Sequence, residues 1–330
     1  STGANNTAVG FEALTANTTA SQNTAVGYDA LKANTTGDYD TAVGAYSLAA
    51  NTTGGSNTAV GRHSMGSNTT GSSNAALGRN SLIYNTTGSS NTAIGYYALL
   101  QNTTASHNAA LGYWALKDNT TGARNVGVGS NAARLITTGD YNTAAGAYAL
   151  SNATTQDNNT AFGYSALAES TTGSSNTAVG HQAMQNLTSA THNTAVGIRA
   201  LNGSLTGNVN VAIGADTLTG ITSGNHNIAI GYQAGTYSTP ITTGTKNIYI
   251  GAYTRSGGAT ENNVICIGYD MTANENEFAF GKAGNKVKNI FTSNATWARS
   301  SDERKKTNIA DSTLGLDFIN DLSTKTFKWK

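Results

Sequence analysis

The apolar residues of this chain fall in narrow columns. Glycine recurs at an interval of seventeen residues fourteen times, from Gly10 and Gly27 to Gly231, each time closing a variant of Asn-Thr-Ala-Val-Gly. The position before the glycine is apolar in every rung, as in Val9, Val26, Leu77, Ile94, Phe162 and Ile230. Two before the glycine stands alanine thirteen times and Gly127 once, and three before it stands mostly threonine. Side chains of a strand alternate between faces, so the first and third columns share one face and the alanines take the other. The larger apolar column is the expected core. The methyl-only face suits close approach by another backbone and is expected to pack against sister chains.

A second segment follows each glycine after two variable residues, a small residue then leucine, as in Ala30-Leu31, Ser47-Leu48 and Ala98-Leu99. It reads as a second short strand. Between rungs runs Asn-Thr-Thr-Gly or a variant, such as 34–37 and 51–54. Asparagine and glycine tolerate positive φ, so this is the expected corner. An asparagine column four before the glycine, broken by Asp40, offers donors and acceptors for an amide ladder between coils. Leucine-rich repeats need more leucine, and helical repeats need stronger helix formers. The spacing therefore predicts an all-β fold, a parallel β-roll or β-solenoid of 17-residue rungs stacked at roughly 4.8 Å.

The 330 residues are 38 % hydrophobic and 11 % charged, against typical values of about 45–50 % and 25 %. So thin a core predicts lateral association of chains. A net charge of +1 gives no overall electrostatic footprint for nucleic acid or an anionic membrane. No apolar run is long enough to insert into a bilayer. Cys266, the single cysteine, lies in the apolar run 264–267 and reads as a buried structural thiol.

After Gly231 the glycines fall at Gly251, Gly268 and Gly281, and the rungs become more apolar, as a cap requires. From Arg299 the composition changes: 12 of the 37 charged residues lie in the last 32 positions, which marks a separate module. The organisation expected is a repetitive solenoid over 1–235, a cap and connector over 236–298, and a further domain beginning at 299–330. Starting within a repeat at Ser1 and stopping at Lys330, the chain reads as a fragment or a processed product.

The Asn-Thr-Ala-Val-Gly rungs over about 1–235 resemble the head repeats of trimeric autotransporter adhesins and similar repeats in phage tail fibres. That resemblance implies a left-handed parallel β-roll assembled as an elongated homotrimer, with two identical chains as partners. The run from Ser301 to Ile309, with Leu316 to Leu322 and Phe327 to Lys330, resembles the opening of the endosialidase-type intramolecular chaperone of phage tail fibres, tailspikes and some bacterial surface fibres. In that family the domain drives trimer assembly and is often removed by self-cleavage. The resemblance assigns Ser301 as nucleophile and Lys306 as its base, a pairing that works when a desolvated lysine accepts the hydroxyl proton. Lys305 departs from the family's usual leucine. The alternative is that the charged run is a solvated face.

The two variable positions after each glycine are free to carry function. They hold Tyr96-Tyr97 and Tyr113-Trp114, with Arg62-His63 and Arg79 nearby. Tyr96 is expected beneath Tyr113, and Tyr97 beneath Trp114. Such a ladder can stack on sugar rings, or its members can simply stack on one another. Scattered histidines and sparse acids supply neither a metal site nor a glycosidase pair, so no metal, cofactor or turnover of an external substrate is expected. Autoproteolysis stays open. The reading is a structural and adhesive trimeric phage tail fibre that recognises a host-surface glycan or other envelope component and resides in the virion. The alternatives are a bacterial trimeric surface adhesin, at the cell surface or extracellular, and part of a depolymerising tailspike.

Overall fold

The computed structural model describes residues 2–203, 206–292 and the two-residue strand Ala298–Arg299. Among these residues there is no helix. Fourteen three-residue strands, from Thr7–Val9 to Ile228–Ile230, end one residue before the fourteen periodic glycines. Each pairs in parallel with the next, and identical positions face each other: Thr7 with Thr24, Ala8 with Ala25, Val9 with Val26. The chain is thus a parallel β-solenoid of seventeen-residue rungs. The stack continues through Ile248–Ile250, Ile265–Tyr269 and Glu277–Lys282. There the chain reverses, and Asn285–Ile290 pairs antiparallel with Glu277–Lys282.

The periodic glycines are required twice over. Gly27 has φ of 140°, and a Cβ there would lie 2.6 Å from the carbonyl oxygen of Gly44 in the next rung. In the Asn-Thr-Thr-Gly corner, a Cβ on Gly37 would lie 2.2 Å from the Gly54 carbonyl oxygen. That corner does not use positive φ at either Asn34 or Gly37, contrary to expectation. Its asparagine works through its side chain: Asn34 Nδ2 donates to the Gly37 carbonyl at 2.9 Å.

The segment after the glycine also departs from expectation. It is a left-handed turn and not a strand, with φ of 54° at Asp29 and 52° at Leu31, repeated in the neighbouring rungs. It still stacks rung on rung, because Leu31 N donates to Ser47 O and Ala33 N to Ala49 O. The turn swings each leucine inward, and Leu31, Leu48, Leu82, Leu99 and Leu116 are fully buried.

The largest correction concerns the two faces of the strand. Alanines such as Ala25, Ala42, Ala93 and Ala161 are fully buried inside their own chain, packed with the leucine column. The bulkier column faces outward: Leu77 is 50 % exposed, Phe162 45 % and Ile230 37 %. Coil width decides this. A seventeen-residue loop with inward leucines leaves room for little more than a methyl group opposite them. At Gly127 even that is tight, since a Cβ would meet Leu116 Cγ at 3.0 Å and the Ala132 carbonyl oxygen at 3.2 Å.

The predicted amide ladder is present. Asn23 N donates to Asn6 Oδ1, and Asn74 N to Asn57 Oδ1, while the amide nitrogens donate to a carbonyl of the next corner, usually fourteen residues on, as Asn57 Nδ2 does to Gly71 O at 3.0 Å. Each asparagine of the ladder therefore satisfies a backbone donor of one rung and a backbone acceptor of another, which fixes register along the stack. Cys266 is buried, and desolvation pushes its thiol up to about 11.

Candidate functional site

The position after the glycine leaves the strand just where the turn begins, so its side chain stands at the edge of the outward face. Identical positions stack there at the rung spacing, and aromatics in successive rungs meet. Phe11 stacks on Tyr28 and Tyr164 on His181, each with centroids 5.3 Å apart, and one position further on Tyr46 stacks on His63 at 4.7 Å.

The four residues singled out from sequence form one cluster. Tyr96 stacks on Tyr113 at 5.7 Å with planes 14° apart, as expected. Tyr113 in turn stacks on Trp114 at 4.8 Å, and Tyr97 lies against Tyr96 at 4.0 Å. Contact between the two hydroxyls raises the Tyr96 phenol above its ordinary value and lowers that of Tyr97, which Asn80 lowers further. Tyr113 is 45 % exposed, whereas Trp114 is half-buried and its Nε1 is enclosed without an acceptor. Cations border the cluster: the Arg79 guanidinium lies 5.8 Å from the Tyr96 ring centroid, and Lys117 Nζ 5.5 Å from that of Trp114. Flat rings with an unfilled donor and flanking charges can receive a ring-shaped polar ligand. They can equally shield the rung edge by stacking on one another.

A second aromatic group, which the repeat pattern did not reveal, lies at the cap. The rung ending at Gly251 is three residues longer than the seventeen-residue rungs, and the extra chain carries Tyr237 away from its column. Tyr237 meets Tyr253 at 4.8 Å, and Tyr253 meets Tyr269 at 5.8 Å. With Gln233 and Asp270 they line a cleft of about 340 Å³. Arg255 closes one side, lying over Tyr237 and donating to Asp270 Oδ1 at 2.6 Å. The single signal for this cleft in the sequence is the one long interval between glycines.

Among the described residues, no three His, Cys, Asp or Glu side chains converge on a point where they could hold a metal ion. No helix among them is long and apolar enough to cross a membrane. Ser301 and Lys306, assigned to self-cleavage by resemblance, lie outside the described residues. No curated protein and no solved structure matches the chain. Residues 301–330 match the family described as chaperone of endosialidase, so the chain carries at its C-terminal end the sequence of that domain, beginning at Ser301.

Proposed function

We propose that this chain is the shaft-like part of a trimeric phage tail fibre or tailspike, which holds a receptor-contacting surface away from the virion. The observation that carries this reading is the outward apolar column. Leu77, Ile94, Leu111, Phe162, Ile213 and Ile230 occupy one position in their rungs and form a line of exposed aliphatic and aromatic groups along the stack. Apolar stripes of this length mark a surface that another chain covers. Covering the exposed part of each side chain stabilises the assembly by about 1 kcal/mol, and the effect accumulates over every rung. The interface is therefore the valine–threonine face and not the alanine face.

The C-terminal match supports the same reading, since chaperones of this family resemblance accompany trimeric fibres. Three chains, each with one stripe, close around a common apolar axis and leave the aromatic edges of the rungs outside it. The function is structural and adhesive, with the Tyr96–Trp114 cluster as a receptor contact. Ser301 and Lys306 carry self-processing, and Ser301→Ala blocks cleavage in a chain containing the whole chaperone, as read by mass spectrometry.

Sedimentation equilibrium tests the assembly. The protein is expected to behave as three chains, and Leu77→Asp/Ile94→Asp/Leu111→Asp is expected to yield monomers or aggregates. A monodisperse wild-type monomer overturns the proposal.

A further inference from the structure

Charge along the solenoid is sorted into blocks. Residues 1–56 hold Glu12, Asp29, Asp38 and Asp40 against Lys32 alone. Residues 57–139 hold Arg62, Arg79, Lys117, Arg124 and Arg134 against Asp118 alone, and 140–198 hold Asp140, Asp157 and Glu169 with no lysine or arginine. The aromatic cluster sits inside the basic block of these three.

The pairing differs as sharply. Outside the block most cations among the described residues have carboxylate partners: Lys32 bonds Glu12, Arg199 bonds Asp216 at 2.7 Å, Arg255 bonds Asp270 at 2.6 Å, and Lys286 and Lys288 both reach Glu277, while Lys246 and Lys282 have none. Inside it, among the described residues, Lys117 alone is paired, with Asp118. Arg62 and Arg79 occupy the same column in adjacent rungs, both exposed, with Tyr96 and Tyr113 next in that column. Their like charges act together on His63, whose imidazole is lowered chiefly by desolvation and then by both arginines. On the other side of the cluster Trp114 Nε1 and Arg134 Nε are enclosed donors with no acceptor.

We propose that this belt, from Arg62 through Tyr96, Tyr113 and Trp114 to Arg134, binds an acidic polysaccharide. This rests on the adhesive-fibre reading and names the ligand class of its receptor contact. Guanidinium groups without carboxylates select carboxylate or phosphate groups, which they bind in bidentate fashion. The stacked rings take the apolar faces of pyranoses. Five rungs span about 20 Å, enough for a short run of sugars. The acidic blocks on both sides repel a polyanion charged at every unit, so the belt favours a sparsely charged glycan over nucleic acid.

The test uses the intact oligomer and four probes: sparsely carboxymethylated dextran, sparsely phosphorylated dextran, unmodified neutral dextran and oligothymidylate. Binding is measured by biolayer interferometry at low and at physiological salt. At least one of the two acidic non-nucleic polymers is expected to bind, and which one distinguishes a carboxylated from a phosphorylated receptor. Arg62→Ser/Arg79→Ser and Tyr113→Ala/Trp114→Ala are each expected to weaken binding about tenfold or more, the former also flattening the salt dependence. Tyr253→Ala in the cap cleft is expected to leave binding unchanged. The belt is overturned if neither acidic polymer binds, if unmodified dextran or oligothymidylate binds as tightly, or if Tyr253→Ala abolishes binding while the belt variants do not. Those failures, seen in a trimer that still adsorbs to cells, leave the fibre reading intact. A monomeric sample overturns the fibre reading itself.

Discussion

From Asn34 to Asn119 the buried corner of each rung is filled by asparagine, whereas from Ile136 onward the same position holds Ile136, Ala153, Leu187, Ile221 and Ile241, with Ser170 between. In the first region each amide bonds the one before it: Asn51 Nδ2 to Asn34 Oδ1 at 3.0 Å, Asn68 to Asn51 at 2.8 Å, Asn85 to Asn68 at 2.7 Å. In the second the corner is filled mainly by aliphatic groups. The backbone path is the same, so the coil specifies the volume of the corner and not its polarity. The difference lies in cooperativity. An amide column is stable only if neighbours are amides too, because each oxygen needs the nitrogen of the following rung. An aliphatic column accepts its members one by one.

The sharpest way to probe the amide region is through Asp40, the one carboxyl in the neighbouring asparagine ladder. It is fully buried, accepts from Asn57 N at 2.8 Å, and lies 3.1 Å from Asn51 Nδ2. Desolvation pushes it up from 3.8 to about 7. A protonated carboxyl offers an O–H where Asn23 and Asn57 offer N–H. Between about pH 4 and pH 7 the unfolded chain releases a proton that the folded one keeps. Stability therefore falls as pH rises through that window, by roughly 4 kcal/mol, and is flat above it. Hydrogen exchange of the rungs ending at Gly44 and Gly61 should show this slope, and Asp40→Asn should remove it. A slope of the opposite sign, or none, would mean that the carboxyl ionises freely.

Placing an amide in the aliphatic region has the next largest effect. Leu187→Asn removes a fully buried side chain and leaves an amide oxygen with no neighbouring amide to bond it. The cost is about 3 kcal/mol, read as lost exchange protection in the rungs ending at Gly180 and Gly197. The converse change is milder. Asn68→Leu deprives Asn51 Oδ1 of its donor, but the Gly71 carbonyl keeps its bond from Asn57 Nδ2. About 2 kcal/mol is expected, confined to adjacent rungs. Equal costs for the two substitutions would erase the distinction between the regions.

The sequence carried the period, the parallel register and the first asparagine ladder, because those follow from spacing and hydrogen-bonding capacity. It did not carry which face of the strand turns inward. Alternation at Thr24, Ala25 and Val26 separates two faces, and a rule favouring the larger apolar group puts Val26 inside. The deciding quantity is the coil's width, which depends on where Leu31 points. Leu31 reaches the interior through a left-handed conformation that its side chain disfavours, so propensity misread that segment as a strand. At the candidate site the stacking of Tyr96 on Tyr113 follows directly from the period. The path from Tyr113 to Trp114 within one rung depends on that same turn and was invisible. Tyr237 was missed because it lies in the one rung that is longer than the repeat.

The boundary between the two regions gives the smallest effect and the most discriminating one. The ladder stops at Asn119, whose Nδ2 bonds Asn102 Oδ1 at 3.0 Å while its own Oδ1 is buried without a donor. The next corner is Ile136, fully buried. Ile136→Asn supplies the missing donor and moves the orphaned oxygen one rung along, so the lost aliphatic burial is offset by a recovered hydrogen bond. The net change should stay below about 1 kcal/mol, against about 3 kcal/mol for the chemically similar Leu187→Asn. Exchange protection in the rung ending at Gly112 should rise even if that in the following rung falls. If Ile136→Asn costs as much as Leu187→Asn, the amides do not act as a cooperative column, and the corner responds to burial alone.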